Sequence, residues 1–344
     1  MQGNVTGHPV RRHRDDLQLR ETELERRGLR LNFDAPVTGA VTVDDAVAVS
    51  FGDGTIRFFR PNIAYKTIKA HEGVVLCMDA YNGYLLTGGD DGRFLYLLPN
   101  GKITELANFG TKWVDCVAAS HDQYACSSGR TAQVWSANNP KVASFEHNST
   151  IGGLAFDQKG KRLAVAHYGG TTIWERGARR WKSSKLIWKG FHGAVTFSPD
   201  GKFVVTAMQE NALHGWRIRD KVDLAMAGYP SKVKSFSWVG DVPHLVTSGS
   251  DEAICWPFDG KDGPMGRAPL CVAYASKQIV TCVQALPEEK AVFAGFRDGT
   301  VLLAELNENK ETIVVKRPNQ VEITAIAVSA SRSHILIGDE KGQI

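Results

Sequence analysis

Short apolar runs recur along most of the chain, and most of them end in a small or hydroxyl-bearing residue. The runs are Val47–Ser50, Tyr84–Thr87, Tyr124–Ser127, Leu163–Ala166, Val204–Thr206, Leu245–Thr247, Val292–Ala294 and Ile335–Ile337. They follow one another about every 40 residues, a spacing typical of repeat architectures. Alternating segments such as Ile323–Val328 precede the runs, and a period of two predicts strands. The sequence therefore predicts eight copies of one β-unit.

Each unit contains two turn signals. A first turn joins the alternating segment to the apolar run, and Asn82-Gly83, Lys159-Gly160 and Asp200-Gly201 supply the positive-φ residues that tight hairpins need. A second turn follows the run, as at Asp91-Gly92 and Asp298-Gly299, and leads into another strand. Three strands and a looser fourth within about 40 residues make one blade of a propeller.

Several blocks resemble the WD40-repeat β-propeller family, in its degenerate, bacterial-type form. Phe197–Gly201 reads as the family's Phe-Ser-Pro-Asp-Gly hairpin signature, and His71–Cys77 matches its His-x-Gly-x-Val-x-Cys opening. The family's tryptophan position holds Trp135, Trp174, Trp216 and Trp256, with Phe59, Leu97 and Ala304 elsewhere. No unit keeps the family's full network of His, Ser or Thr, Asp and Trp. The resemblance implies an all-β fold and a role in binding proteins.

The predicted architecture is a β-propeller of four-stranded blades over residues 29–344. Counting the units favours eight blades, with seven as the alternative. Residues 29–33 alternate and precede the first unit, so we expect them to close the ring as the outer strand of the last blade, because closure removes an exposed edge. Residues 1–28 form a polar tail, either solvated or folded as a short helix that Asp15 and Asp16 cap, with Leu17 and Leu24 on one face.

Composition and charge limit the possible partners and the cellular location of the protein. The chain is 43% hydrophobic and 23% charged, and its net charge of +4 over 344 residues does not by itself indicate a nucleic-acid partner. No apolar run approaches the roughly 18 residues that cross a bilayer, so we expect no membrane association. Six cysteines without a CxxC pair predict free thiols and a cytoplasmic protein.

We searched the sequence for chemistry and predict no catalytic residues, no metal and no cofactor. A metal-dependent propeller enzyme needs ligands at one register in several units, whereas Asp79 and Asp115 stand at different registers. Gly-x-Ser-x-Gly, HExxH and phosphate-loop patterns do not occur. His71 and His147 are expected to order turns, and Cys77, Cys116 and Cys282 to pack between blades.

Two surfaces are candidates for binding partners. The segment 175–189 is rich in basic and aromatic residues, which are enriched at binding hot spots, and should lie at the rim of the propeller. Its candidate residues are Arg176, Arg179, Arg180, Trp181, Lys182 and Lys185. The opposite face carries acidic residues in or beside the second turns. These are Asp53, Asp91, Glu210, Asp251 and Asp298.

The leading hypothesis is a non-catalytic scaffold that binds one or more partner proteins through its faces and loops. A propeller enzyme with a metal or small-molecule site is the first alternative. Association with nucleic acid or another anionic polymer is the second, and it depends on the basic segment alone, since interleaved cations and aromatics suit phosphate and base contacts.

Overall fold

The structure of the protein, a computed structural model, describes residues 21–136, 139–286, 288–307 and 311–344, without the side chains of residues 139–142. Within these ranges the regular structure is one short helix, α1 (Glu23–Arg27), followed by strands. Asp15, Asp16 and Leu17, the expected beginning of a tail helix, lie outside the described residues.

The first three sheets have four antiparallel strands each. They are β1 (Val37–Val43), β2 (Ala46–Phe51), β3 (Thr55–Arg60) and β4 (Ile63–Lys69); β5 (Val75–Tyr81), β6 (Tyr84–Gly89), β7 (Arg93–Leu97) and β8 (Ile103–Asn108); and β9 (Cys116–Ala119), β10 (Gln123–Ser128), β11 (Thr131–Ser136) and β12 (Asn139–Glu146). In each, the strands lie side by side in chain order.

The remaining sheets differ in size. A six-stranded sheet contains β13 (Ile151–Phe156), β14 (Arg162–Arg176), β15 (Trp181–Phe197), β16 (Phe203–Met208), β17 (Leu213–Arg217) and β18 (Val222–Met226). Two four-stranded sheets follow, with β19 (Phe236–Val239), β20 (His244–Thr247), β21 (Ala253–Pro257) and β22 (Leu270–Val272), and with β23 (Val280–Leu286), β24 (Ala291–Phe296), β25 (Val301–Glu305) and β26 (Thr312–Lys316). The last sheet pairs only β27 (Ile323–Val328) and β28 (Ile335–Asp339).

The all-β propeller is confirmed, but the predicted number of blades is wrong. In the described part of the chain, six sheets have four or more strands and form the blades, instead of the eight, or alternatively seven, that the repeats predict. The long strands β14 and β15 explain part of the difference. Tyr168 pairs with Phe191 across them, so the ladder continues through segments where the repeat predicts interruptions. The last unit contributes two strands instead of four.

Contacts between inner strands arrange the sheets in a ring. β1, β5, β9, β13 and β15 contact one another in that order, and β19, β23, β27 and β1 continue the circuit. The six-stranded sheet contributes both β13 and β15 to this ring, and β27 comes from the two-stranded sheet. Trp238 of β19 joins the two series, because its Nε1 donates to Oγ1 of Thr196 in β15 at 3.0 Å. The second strands β2, β6, β16 and β24 are buried along their whole length. They contain apolar runs of the sequence repeat, which burial in the core explains.

The two ends of the described chain meet. Residues 29–33 form no strand, but Leu31 exchanges backbone hydrogen bonds of 2.8 and 2.9 Å with Ile344, and Phe33 N donates to Gly342 O at 3.0 Å. The preceding helix α1 begins with a capping box of Thr22 and Glu25. Glu25 also accepts a hydrogen bond of 2.9 Å from Nε of Arg317, just after β26, so the helix is attached to the last four-stranded sheet.

Candidate functional site

The first and second turns lie on opposite faces, because the second strand of each sheet runs from one turn to the other. We call these the first-turn face and the second-turn face. Loops that enter each sheet lie on the second-turn face. Ser231 N donates to Gly249 O at 3.1 Å, and Arg297 N donates to Ile279 O at 3.0 Å, which joins entry loops to second turns.

A buried histidine orders one second turn. His71 lies just before β5, with Nε2 2.8 Å from Oγ1 of Thr87 and Nδ1 2.9 Å from Oδ1 of Asp91. Burial lowers the pKa of His71, although Asp91 acts in the opposite direction. Three members of the family's four-residue network are therefore in contact here, and Leu97 stands in place of the tryptophan.

Sequence reasoning missed two related bridges, one from His192 within β15 and one from Tyr229 in the loop before β19. Nδ1 of His192 lies 2.7 Å from Oγ1 of Thr206, and Tyr229 contacts Thr247 in the same way at 2.7 Å. His147, which the sequence assigns to this position, accepts a long hydrogen bond of 3.4 Å from Nε1 of Trp174. The signal that could have found His192 is the glycine that follows it, Gly193, just before an alternating segment, since Gly73 follows two residues after His71.

The five acidic candidates lie in or beside second turns, and hydrogen bonds within the turns occupy several of them. Oδ1 of Asp53 accepts from the backbone N of Thr55 at 2.9 Å, and Oδ1 of Asp298 accepts from Thr300 N at 3.0 Å. Burial raises the pKa of Asp91, but the hydrogen bonds from His71 and Glu72 outweigh it and lower the value. Asp298 is buried, whereas Glu210 is exposed and Asp251 is half-buried.

The basic segment forms a continuous antiparallel hairpin, which we call the outer hairpin (residues 170–189). Arg176 pairs with Trp181, and Gly177 N donates to Arg180 O at 3.1 Å across the tip. Arg179 and Arg180 are exposed at this tip. Arg176 N donates to Lys161 O at 2.9 Å, which places the tip beside a first turn.

Not all of the hairpin's predicted binding residues are free. Nη1 of Arg176 donates to Oδ2 of Asp122 at 3.1 Å. Trp181 is half-buried, and its ring meets that of Phe145 edge-on at 5.5 Å. Lys182 and Lys185 are exposed on β15. The structure therefore brings the cations together along one hairpin but uses Trp181 for packing.

The opposite end of the outer hairpin carries an exposed apolar patch that sequence reasoning missed. Ile187 is 76% exposed, Tyr168 57% and Trp188 40%. Trp188 stacks on the buried ring of His214, with centroids 3.9 Å apart and an interplanar angle of 17°. Burial lowers the pKa of His214 to about 4, although Asp223 acts in the opposite direction. Tyr168 on β14 and the consecutive residues Ile187 and Trp188 on β15 lie near one another along the paired strands, and we call these three residues the apolar patch.

Inner strands β1, β19, β23 and β27 line a cavity of about 460 Å³. Small hydroxyl side chains line much of it, including Ser235, Thr281 and Thr324. Nζ of Lys234 pairs with Glu322 at 3.2 Å among its lining residues. Among the residues that the structure describes, no group of three or more His, Cys, Asp or Glu side chains is placed to hold a metal ion.

The inner-strand thiols lie in the core. Burial raises the pKa values of Cys116 and Cys282 to about 12, so both remain protonated at neutral pH. Cys77 donates a weak hydrogen bond of 3.4 Å to Val114 O in the neighbouring sheet. This environment fits the packing role that the sequence predicts, since reactive cysteines need a stabilised thiolate. No helix of the described ranges is long and apolar enough to span a bilayer.

Comparison with known proteins supports the resemblance to WD40-repeat proteins. No protein-family model matches the chain. It is similar to the angio-associated migratory cell protein of Homo sapiens, a WD40-repeat protein, with 24% identity over 204 residues. The match covers 56% of this chain and 44% of the human protein, and the protein of the same name from Canis lupus familiaris matches equally well. The chain thus spans less than half the length of the relatives it matches.

A solved structure supports the fold. The crystal structure of the computationally designed Ika8 protein superimposes with a TM-score of 0.70 and 17% identity, over 90% of this chain and 95% of that one. At this identity the likeness shows the fold alone. The sheets define a β-propeller, and the turn networks together with the relative support its similarity to WD40-repeat proteins.

Proposed function

We propose that the chain is a non-catalytic scaffold that binds partner proteins, and that the outer hairpin is its main docking element. The exposed apolar patch carries this proposal. Large apolar side chains at the surface of a propeller rim mark interaction sites when they cluster, and aromatic residues and cations beside them are enriched at hot spots. The relative's WD40 repeats support the same class of function.

The backbone of the outer hairpin adds a second docking feature. The Trp181–Ile187 half of β15 pairs with β14 alone among the described strands, whereas the other half of β15 pairs with β16. Its outer edge therefore offers backbone N–H and C=O groups to an added strand of a partner. Lys182, Lys185 and Lys189 lie exposed along this edge, which favours an acidic partner segment.

The proposal includes a cytoplasmic setting and bacterial-type repeats, which the free thiols and the degenerate repeat signatures support. The acidic residues of the second-turn face remain a predicted second site for a cationic segment. Asp53 and Glu210 are the exposed members of that set, and Oδ1 of Asp53 already accepts from Thr55, so such a segment would depend most on Glu210. Binding of an anionic polymer to the outer hairpin is the competing function, favoured by the exposed arginines of the tip.

Affinity capture with the full chain tests the proposal. The variants are Ile187→Asp, which places a charge in the apolar patch, and the triple reversal of Arg179, Arg180 and Lys182 to Glu. Ile63→Asp is the matched control, because Ile63 is 64% exposed on the outer strand β4 of another sheet. We expect proteins recovered by the wild type and the control to be lost from both hairpin variants. Equal recovery by all four proteins would contradict the proposal.

A further inference from the structure

A second surface feature lies on the first-turn face, near the tip of the outer hairpin. It is a cavity of about 370 Å³ between the first turn of β15–β16, the end of β17 and the loop after β21. We call it the basic pocket. Its lining residues are Arg162, Gly201, Lys202, Arg217, Ile218, Arg219, Gly260 and Lys261. Five of these eight are cationic, and no acidic residue of the described ranges lines the cavity.

The cations of the basic pocket form two layers. The side chains of Arg162 and Arg217 are 23% and 14% exposed, so they lie deepest. Lys202 and Arg219 are each 64% exposed, and Lys261 is also exposed. Long basic side chains of this kind place their aliphatic stems along the walls and their charges at the opening.

Neighbouring groups hold the two deep guanidinium groups in place. Arg162 donates from Nε to Asp157 Oδ2 and from Nη2 to Gly201 O, both at 2.8 Å. Arg217 donates from Nε to Asp220 Oδ1 at 2.9 Å and from Nη1 both to Lys261 O at 2.9 Å and to the carboxylate of Asp262. Nη1 of Arg162 and Nη2 of Arg217 have no partner among the described hydrogen bonds. Each guanidinium is therefore oriented in advance and keeps N–H groups for a ligand.

A glycine keeps the pocket accessible. A Cβ atom at Gly201 would lie 2.4 Å from Nη2 of Arg162, so any other residue would displace that guanidinium. Gly201 also has a φ of 67°, in the left-handed region that favours glycine. The absence of a side chain at this position thus allows the turn and Arg162 to approach each other.

The basic pocket is continuous with the outer hairpin. Arg162 follows Lys161, whose carbonyl accepts the hydrogen bond from Arg176 N at the base of the hairpin tip. Four carboxylates just outside the cavity form ion pairs with its cations and compensate most of their charge, which favours a single anionic group as the ligand. They are Asp157, Asp200, Asp220 and Asp262.

We infer that the basic pocket binds a phosphate or carboxylate group of an acidic protein segment that also contacts the outer hairpin. The inference rests on the proposed scaffold function for the identity of the segment, but binding of the anion itself is a property of this chain alone. Guanidinium groups bind phosphate in bidentate fashion, and the lysines add charge. The affinity for a free anion is expected to be weak, because a single small ion makes few contacts.

Titration of the purified full chain with inorganic phosphate tests the pocket directly. We expect saturable shifts of the backbone amide signals of Gly201, Gly260 and Lys261 in two-dimensional NMR spectra. The double variant Arg219→Glu/Lys261→Glu should lose them, because both side chains are exposed and the fold does not depend on them. Lys277→Glu is the control, an exposed lysine on the second-turn face. The absence of saturable shifts, or equal shifts in the double variant, would overturn the inference.

Three labelled probes identify the source of the anion. They are an acidic peptide with one phosphoserine, the same peptide with serine, and a random single-stranded oligonucleotide of equal charge. We expect the phosphopeptide to bind most tightly, and the double variant to weaken it about tenfold or more. Tighter binding of the oligonucleotide that depends on the pocket would overturn the assignment to a protein segment. If the chain captures partner proteins but does not bind phosphate, the inference about the basic pocket is wrong and the proposed docking function stands. If it binds phosphate but captures no partner, the proposed role of the outer hairpin is wrong and the inference about the basic pocket stands.

Discussion

The hydroxyl oxygen of Tyr229 lies 2.7 Å from Oγ1 of Thr247, and both residues are buried. Nε1 of Trp256 donates to the same hydroxyl at 2.7 Å, so the tyrosine joins the second and third strands of its sheet. In the β5–β8 sheet, the imidazole of His71 makes the equivalent contact with Thr87. A phenol thus replaces an imidazole in one kind of bridge between an entry loop and the sheet that it enters.

Removing this hydroxyl should destabilise the protein. Tyr229→Phe leaves the indole N–H of Trp256 without its acceptor, and a buried unsatisfied polar group costs about 1–3 kcal/mol. We expect the free energy of unfolding in urea to fall by that amount. Tyr65→Phe is the control, because Tyr65 is 42% exposed on the outer strand β4. An equal effect of both substitutions would contradict the assignment of the bridge.

Acid should destabilise the protein through two buried histidines. Burial lowers the pKa values of His147 and His214 to about 4, so the folded state favours their neutral forms. Their contribution to stability is fully present above the unfolded value of about 6.5 and is lost as the pH falls from there toward 4. Asp79 acts in the opposite direction. Burial raises its pKa to about 6, so protonation of the carboxylate in acid removes the free-energy cost of burying its charge.

A variant separates these effects. At about 1.4 kcal/mol per tenfold change in proton affinity, one such histidine accounts for up to about 3 kcal/mol between neutral pH and pH 4. We expect His214→Gln to lower the dependence of the unfolding free energy on pH by most of this amount. The measurement is urea unfolding at several pH values, with the exposed His121→Gln as control. A dependence as steep as that of the wild type would show that His214 does not titrate in this way.

The sequence predicts the buried strands well because their signal is local. The run Val204–Thr206 lies in β16, and Trp216 and Trp256 lie in third strands, as the repeat predicts. Burial on both sides of a second strand requires a continuous apolar run, and such a run is visible without knowledge of its neighbours. His71 and its turn are predicted for the same reason, since their partners stand at fixed offsets.

The number of blades and the apolar patch depend on contacts that sequence offsets do not show. Tyr168 continues the ladder by pairing with Phe191, and nothing in the residues between them indicates that the pairing persists. Ile187 is exposed because one edge of its part of β15 remains unpaired. Which edge is unpaired is decided only when the sheets assemble into the ring. The stacking of Trp188 on His214 likewise depends on the meeting of β15 and β17 in the folded chain.

Helix α1 should be held to the propeller mainly by Glu25. Its carboxylate accepts from Thr22 N at 2.9 Å and from Arg317 at 2.9 Å. Loss of these charge-assisted hydrogen bonds in Glu25→Ala should make local opening easier by about 1–3 kcal/mol. We expect trypsin to cleave after Arg26 and Arg27 at least several times faster. Glu23→Ala is the control, since Glu23 pairs with the exposed Arg27 of the same helix. A similar acceleration in this variant would argue against the anchoring role of Glu25.

The junction of the two described chain ends should depend on the absence of a side chain at residue 342. A Cβ atom at Gly342 would lie 1.9 Å from Phe33 O and 2.3 Å from Ala35 O, and its φ is 85°. Gly110→Ala is the matched control, because Gly110 has a φ of 66° but open space around it, so it reports backbone strain alone. We expect Gly342→Ala to lower the unfolding temperature several degrees further than the control and to promote aggregation through the separated edge, as measured by calorimetry and size-exclusion chromatography. If the two variants unfold alike and both stay monomeric, contact between residues 33–35 and Gly342 does not stabilise the ring.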